Sequence, residues 1–156
     1  MIKVDIFRKR FFSEKVHFKY THFVICNKIN SKQMTTTQEV INALNQIADP
    51  EKVLFKQKKF GVIANNAIGV YHKDLKILAK QIGTNNELAV ALFDTDIYEC
   101  RLLCSKIFNP KDVTSELMEK WVVTFENWEI TDSFCMGLFK YSDLALSKME
   151  EWTKRQ

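Results

Sequence analysis

TTQEVINALNQIADPEKVLFKQKKF, residues 36–60, decides the fold class. Thr36 and Glu39 stand at capping-box spacing, just ahead of Val40, Ile41, Leu44 and Ile47, which recur at helical intervals. Asp49-Pro50 then closes one helix and opens another, because proline fits the first helical turn, where its missing N–H is not needed. Val53, Leu54 and Phe60 are the expected apolar side of that second helix. Working outward, Leu75, Leu78, Ala79 and Ile82 make the stripe of a third helix over residues 73–82, which Gly83 ends. Further helices fit residues 86–93, 97–108, 115–125, 133–139 and 143–152, with Asn109-Pro110 between the fourth-last and third-last of these segments. Nothing alternates with period two. Short helices on short connections predict an all-α array of helical hairpins, either a bundle or a HEAT-like helical-repeat array, an α-α superhelix.

Composition agrees. The 156 residues include four glycines and two prolines, too few for a turn-rich barrel or sandwich. No apolar run approaches the roughly 18 residues of a membrane span, so no membrane partner is expected. Four cysteines without a secretory signal read as reduced thiols in a cytoplasmic protein.

The net charge of +4 is unevenly placed. Residues 1–33 hold eight Lys/Arg against two acids, and the rest of the chain is slightly acidic. In that first segment Phe7, Phe11, Phe12, Phe18, Tyr20 and Phe23 are interleaved with cations. It reads as a nucleic-acid arm, as a mitochondrial presequence, or as an extension without a role ahead of Met34. Residues 1–33 are therefore set apart as a basic, aromatic-rich extension, and residues 34–156 as the domain. By charge alone the domain is a poor partner for DNA.

Chemistry-bearing patterns are few. Four scattered glycines cannot cradle a phosphate, and His17, His22 and His72 lack ligand spacing. Cys100 and Cys104 share a helix face but lack further ligands, and read as buried thiols. No metal and no cofactor is expected. One cluster remains: residues 121–132, WVVTFENWEITD, with Trp121 and Trp128, one phenylalanine and three acids. Trp128 and Asp132 are one helical turn apart, an arrangement suited to a cation, which a ring face and a carboxylate both attract. The same residues also fit an N-cap at Asp132 and a packed corner at Trp128.

Three stretches in order carry a family resemblance. GVYHKDLKILAKQI (residues 69–82), NELAVALFDTDIYECRLLCSKI (residues 86–107) and WVVTFENWEITDSFC (residues 121–135) resemble the DNA alkylation repair family, the HEAT-like alkylpurine DNA glycosylases of AlkD type. Phe93 stands where that family usually has Trp, and Glu129 where it commonly has Asp. The family's domain continues for several further repeats, so residues 34–156 are expected to be its N-terminal part, with an uncovered last helix (Leu144, Leu146, Met149, Trp152) open to self-association. The resemblance implies alkylated double-stranded DNA as partner, in the cytoplasm or on a bacterial nucleoid. It implies release of 3-methyladenine or 7-methylguanine by carboxylate-stabilised hydrolysis. Asp132 would be the carboxylate and Trp128 the aromatic wall. Trp121, Lys73, Lys76, Lys80 and Arg101 are the residues expected to meet substrate or DNA. A non-catalytic scaffold or an inactive remnant is the alternative, and arginines and lysines on the face of Asp132 would distinguish the two.

Overall fold

The structure is a computed structural model and describes residues 34–155. The basic segment 1–33, with its alternative readings, lies outside the described residues. Eight α-helices make up the described chain, without a strand: α1 (Thr37–Ile47), α2 (Pro50–Phe60), α3 (His72–Ile82), α4 (Asn86–Phe93), α5 (Tyr98–Ile107), α6 (Ser115–Val122), α7 (Trp128–Gly137) and α8 (Ala145–Thr153). Short 3-10 turns, Pro110–Asp112 and Phe139–Tyr141, join α5 to α6 and α7 to α8. None of these helices is long and apolar enough to cross a membrane.

The local signals are realised in hydrogen bonds. The Glu39 N–H donates to Thr36 Oγ1 at 3.3 Å and the Thr36 N–H to Glu39 Oε2 at 3.2 Å, completing the capping box of α1. Asp49 caps α2 through the Glu51 N–H at 3.0 Å, with Pro50 in the first turn. Asn85 and Thr114 do the same for α4 and α6. Gly83 ends α3 at a positive φ.

α3, α5 and α7 lie side by side in one layer, while α4 pairs with α5 and touches α1. Successive hairpins stacked in this way are consistent with a helical repeat array. α5 is central: every residue of it except Lys106 is buried. A large aromatic core fills the C-terminal half. Trp121, fully buried, packs edge-on to Phe108 at 5.3 Å between ring centroids and lies 5.4 Å from Phe134 and 5.7 Å from Phe93.

The connection from α2 to α3 is held from α5. The buried Glu99 carboxylate accepts the backbone N–H groups of Ile68, Gly69 and Val70 at 2.9, 2.8 and 3.1 Å. Gly69 has φ +87°, and a Cβ there would sit 2.0 Å from the Asp49 carbonyl oxygen. Only glycine permits that approach. The bracing sets the start of α3, and so the place of His72.

Two expectations are corrected. α7 begins at Trp128, five residues before the expected start, because Asn127 supplies the cap. α2 does not bury its expected apolar side: Leu54 is 55% exposed and Phe60 49%. Cys100 and Cys104 are buried free thiols. Burial pushes the Cys100 thiol up to about 11, so neither reactivity nor metal binding is favoured there.

Candidate active site at the start of the seventh helix

Asn127 organises the site. Its Oδ1 accepts the N–H groups of Glu129 at 2.9 Å and Ile130 at 3.2 Å, and its Nδ2 donates to the Ile63 carbonyl at 2.9 Å. The cap thus starts α7 and ties it to the turn after α2. Trp128 follows as the first helical residue; it is 51% exposed, and its Nε1 donates to the Phe60 carbonyl at 3.1 Å. Asp132, one turn on, is exposed. It is a mid-helix residue and not an N-cap, so the capping reading of Asp132 is excluded.

Behind Trp128 sits a buried carboxylate with three partners from other helices. Lys56 Nζ of α2 donates to Glu129 Oε1 at 2.7 Å and Oε2 at 3.0 Å. The Tyr98 hydroxyl of α5 donates to Glu129 Oε2 at 2.9 Å, with Asn127 Oδ1 3.0 Å away. His72 Nε2 of α3 lies 3.3 Å from Glu129 Oε1. Burial by itself raises the Glu129 pKa; hydrogen bonds from His72, Lys56 and Tyr98 outweigh it and hold the carboxyl down at about 2. Burial, reinforced by the Glu129 charge, pushes the Tyr98 phenol far above its usual range. Glu129 is therefore a fixed anion that clamps the first turn of α7 to α2, α3 and α5, and it fixes the backbone from which Trp128 and Asp132 project.

One turn further along the same layer, Lys106 Nζ donates to Ser133 Oγ at 3.2 Å, and Ser133 bonds Ser105 at 2.8 Å. Burial and the nearby charge of Lys76 hold the Lys106 ammonium below the usual lysine range. Lys76 and Lys106 thus bring positive charge beside the residue that follows Asp132. Lys73, Lys76 and Lys80 are all exposed on α3.

The other two expected contacts are not at a surface. Trp121 is fully buried in the aromatic core. Arg101 is buried as well; its guanidinium donates to the Thr124 carbonyl at 2.6 Å and Thr124 Oγ1 at 2.9 Å, and lies 5.3 Å from the Phe93 ring centroid. Arg101 braces the link from α6 to α7 and does not meet solvent. Both expectations are corrected, and the two are turned inward for different reasons: Trp121 by packing against Phe93, Phe108 and Phe134, and Arg101 by its bonds to Thr124 and Glu126. Among the described residues no group of His, Cys, Asp and Glu is placed to hold a metal ion.

A sequence model described as DNA alkylation repair enzyme matches residues 40–156. The chain belongs to that family. The match spans most of α1 and all of α2 through α8, and includes Lys56, His72, Tyr98 and the 127–132 segment. No curated protein and no solved structure matches the chain. Sequence reasoning missed Lys56, His72, Tyr98 and Asn127; of these, only Asn127 had a local signal, an N-cap residue ahead of Trp128 and an acidic second helical position.

Proposed function

We propose that this member of the DNA alkylation repair family is a glycosylase that releases positively charged alkylated purines, such as 3-methyladenine and 7-methylguanine, from double-stranded DNA. The observation that carries the reading is the pairing of a half-exposed Trp128 with an exposed Asp132 one turn away, on a layer that also presents Lys76 and Lys106.

The chemistry follows from charge. A 3- or 7-alkylated purine is already cationic, so it leaves as a neutral base without first being protonated. As the N-glycosidic bond lengthens, positive charge moves to the sugar. A carboxylate there stabilises that charge and orients the attacking water, as in glycoside hydrolysis. Asp132 takes that part, and the Trp128 ring face attracts the cationic base. Lys73, Lys76, Lys80 and Lys106 meet phosphates. The Glu129 clamp keeps α7 from shifting. The reaction needs no metal or cofactor.

The test is single-turnover release of methylated bases from methylated DNA by the protein and by its Asp132→Asn variant. The reading expects release to fall by about two to three orders of magnitude in the variant, with folding stability unchanged. Equal release by both removes Asp132 from the mechanism. A second reading, a non-catalytic DNA-binding module, is favoured by the burial of Trp121 and Arg101, which leaves fewer side chains for substrate; binding without release by either form would establish it.

A further inference from the structure

Beside Trp128 the molecule exposes more apolar surface than packing explains. Phe55 is 45% exposed, Phe60 49% and Ile63 65%. They are contiguous with the site: the Phe60 carbonyl accepts from Trp128 and the Ile63 carbonyl from Asn127. Phe55 and Phe60 form an edge-to-face pair at 5.9 Å between centroids. Lys59 Nζ lies 5.2 Å from one ring centroid and 5.4 Å from the other. Lys58 and Lys59 are both exposed, and neither makes an ion pair among the described residues. α2 carries four lysines against one acid, and the two lysines with acidic partners are Lys52 and Lys56.

Each ring leaves nearly half of its surface in water, apolar area that folding has not used. A protein partner would be met by an apolar patch with a mixed polar rim. Here the α2 side of the rim is cationic, through Lys58 and Lys59, while Glu126, bonded to Asn65, borders the Ile63 end. Paired aromatic rings among unpaired lysines suit a nucleobase, whose face stacks on the rings while its phosphates meet the ammonium groups.

We propose that Phe55, Lys59, Phe60 and Ile63 form a stacking shelf for an unstacked nucleobase of DNA adjoining the Trp128–Asp132 site. The proposal rests on the DNA reading above, but not on base release. Its occupant is nucleic acid, committed by the positive charge of α2 and by the continuity of the shelf with Trp128 through the Phe60 carbonyl.

The experiment is equilibrium binding of duplex DNA carrying one unpaired 2-aminopurine, followed by its fluorescence, over a range of salt concentrations. The wild-type protein is expected to quench the probe. Phe60→Ser is expected to weaken binding roughly 5- to 150-fold, the range for losing one base–aromatic stack, with the salt slope unchanged. Lys59→Gln is expected to reduce the slope of log K against log salt by about 0.7–0.9. Phe60→Tyr, which keeps the ring, should retain wild-type affinity, and this separates stacking from a folding defect. Affinity of Phe60→Ser within twofold of wild type overturns the proposal. So does a concentration-dependent dimer that Phe60→Ser abolishes while DNA affinity is unaffected, since the shelf is then an interface between two copies. Wild-type binding with quenching but without release of methylated bases leaves the shelf standing and refutes the glycosylase reading alone.

Discussion

Replacing Glu129 by glutamine removes one charge from a buried group with partners on three other helices. In the folded protein its carboxyl is held at about 2, from an ordinary 4.5. A carboxyl whose folded pKa lies below its unfolded value contributes stability that is fully present above about pH 4.5 and is lost as pH falls towards 2. The fall corresponds to about 3 kcal/mol at neutral pH. An independent bound agrees: removing one partner of a buried pair costs about 3–5 kcal/mol, because the other charge is left without its mate. Here that charge is Lys56, whose side chain is 12% exposed. Glutamine keeps one acceptor oxygen, so the expected loss is about 2–3 kcal/mol. The assay is urea unfolding of wild type and Glu129→Gln at pH 7 and at about pH 3. The difference between the two proteins should be about 2–3 kcal/mol at pH 7 and should shrink markedly at the lower pH, which lies below the ordinary 4.5 of the unfolded carboxyl, so that unfolding takes up a proton. Taking the difference cancels the other carboxylates. A variant within about 0.5 kcal/mol of wild type at pH 7, or a gap that does not change with pH, would refute the clamp.

Other consequences follow from burial and geometry. Trp121→Ala, at the centre of the aromatic core, should cost about 3–5 kcal/mol in chemical unfolding; a loss under 1 kcal/mol would show that the core does not depend on it. Gly69→Ala should leave little folded protein by circular dichroism, since its Cβ meets the Asp49 carbonyl at 2.0 Å, and wild-type stability in that variant would contradict the close approach. The groove of about 550 Å³ bordered by Met118, Phe139, Leu146, Met149 and Trp152 is predicted to support self-association. Sedimentation should show mass rising with concentration for wild type and not for Leu146→Glu; a monomer at every concentration would end that prediction.

Where the sequence was legible, the signal was local. Thr36 with Glu39, Asp49 with Pro50, and Gly83 each act within a few residues of themselves, and each ends or starts a helix where its chemistry says it should. The start of α7 differs from the sequence reading because Asp132, ahead of the apolar residues from 134 on, also fits a cap, while the true cap, Asn127, precedes a tryptophan and not an apolar run. Non-local bonds left no such mark. Gly69 is required by a carbonyl twenty positions earlier in the chain. Glu129 draws its partners from positions 56, 72 and 98, on three different helices. Trp121 and Arg101 were expected at the DNA face because composition does not say which side of a layer a residue points to; aromatic packing with Phe93, Phe108 and Phe134 decided Trp121, and the Thr124 carbonyl decided Arg101.

The central claim is that a carboxylate and an aromatic face suffice because the departing base is already charged. It is tested most directly by comparing two lesions in otherwise identical duplexes, cationic 7-methylguanine and neutral hypoxanthine, under single-turnover conditions. The account predicts release of 7-methylguanine, reduced about 100- to 1,000-fold in Asp132→Asn, and no release of hypoxanthine above background. Release of hypoxanthine at a comparable rate, or retention of 7-methylguanine by the wild-type protein, would contradict it.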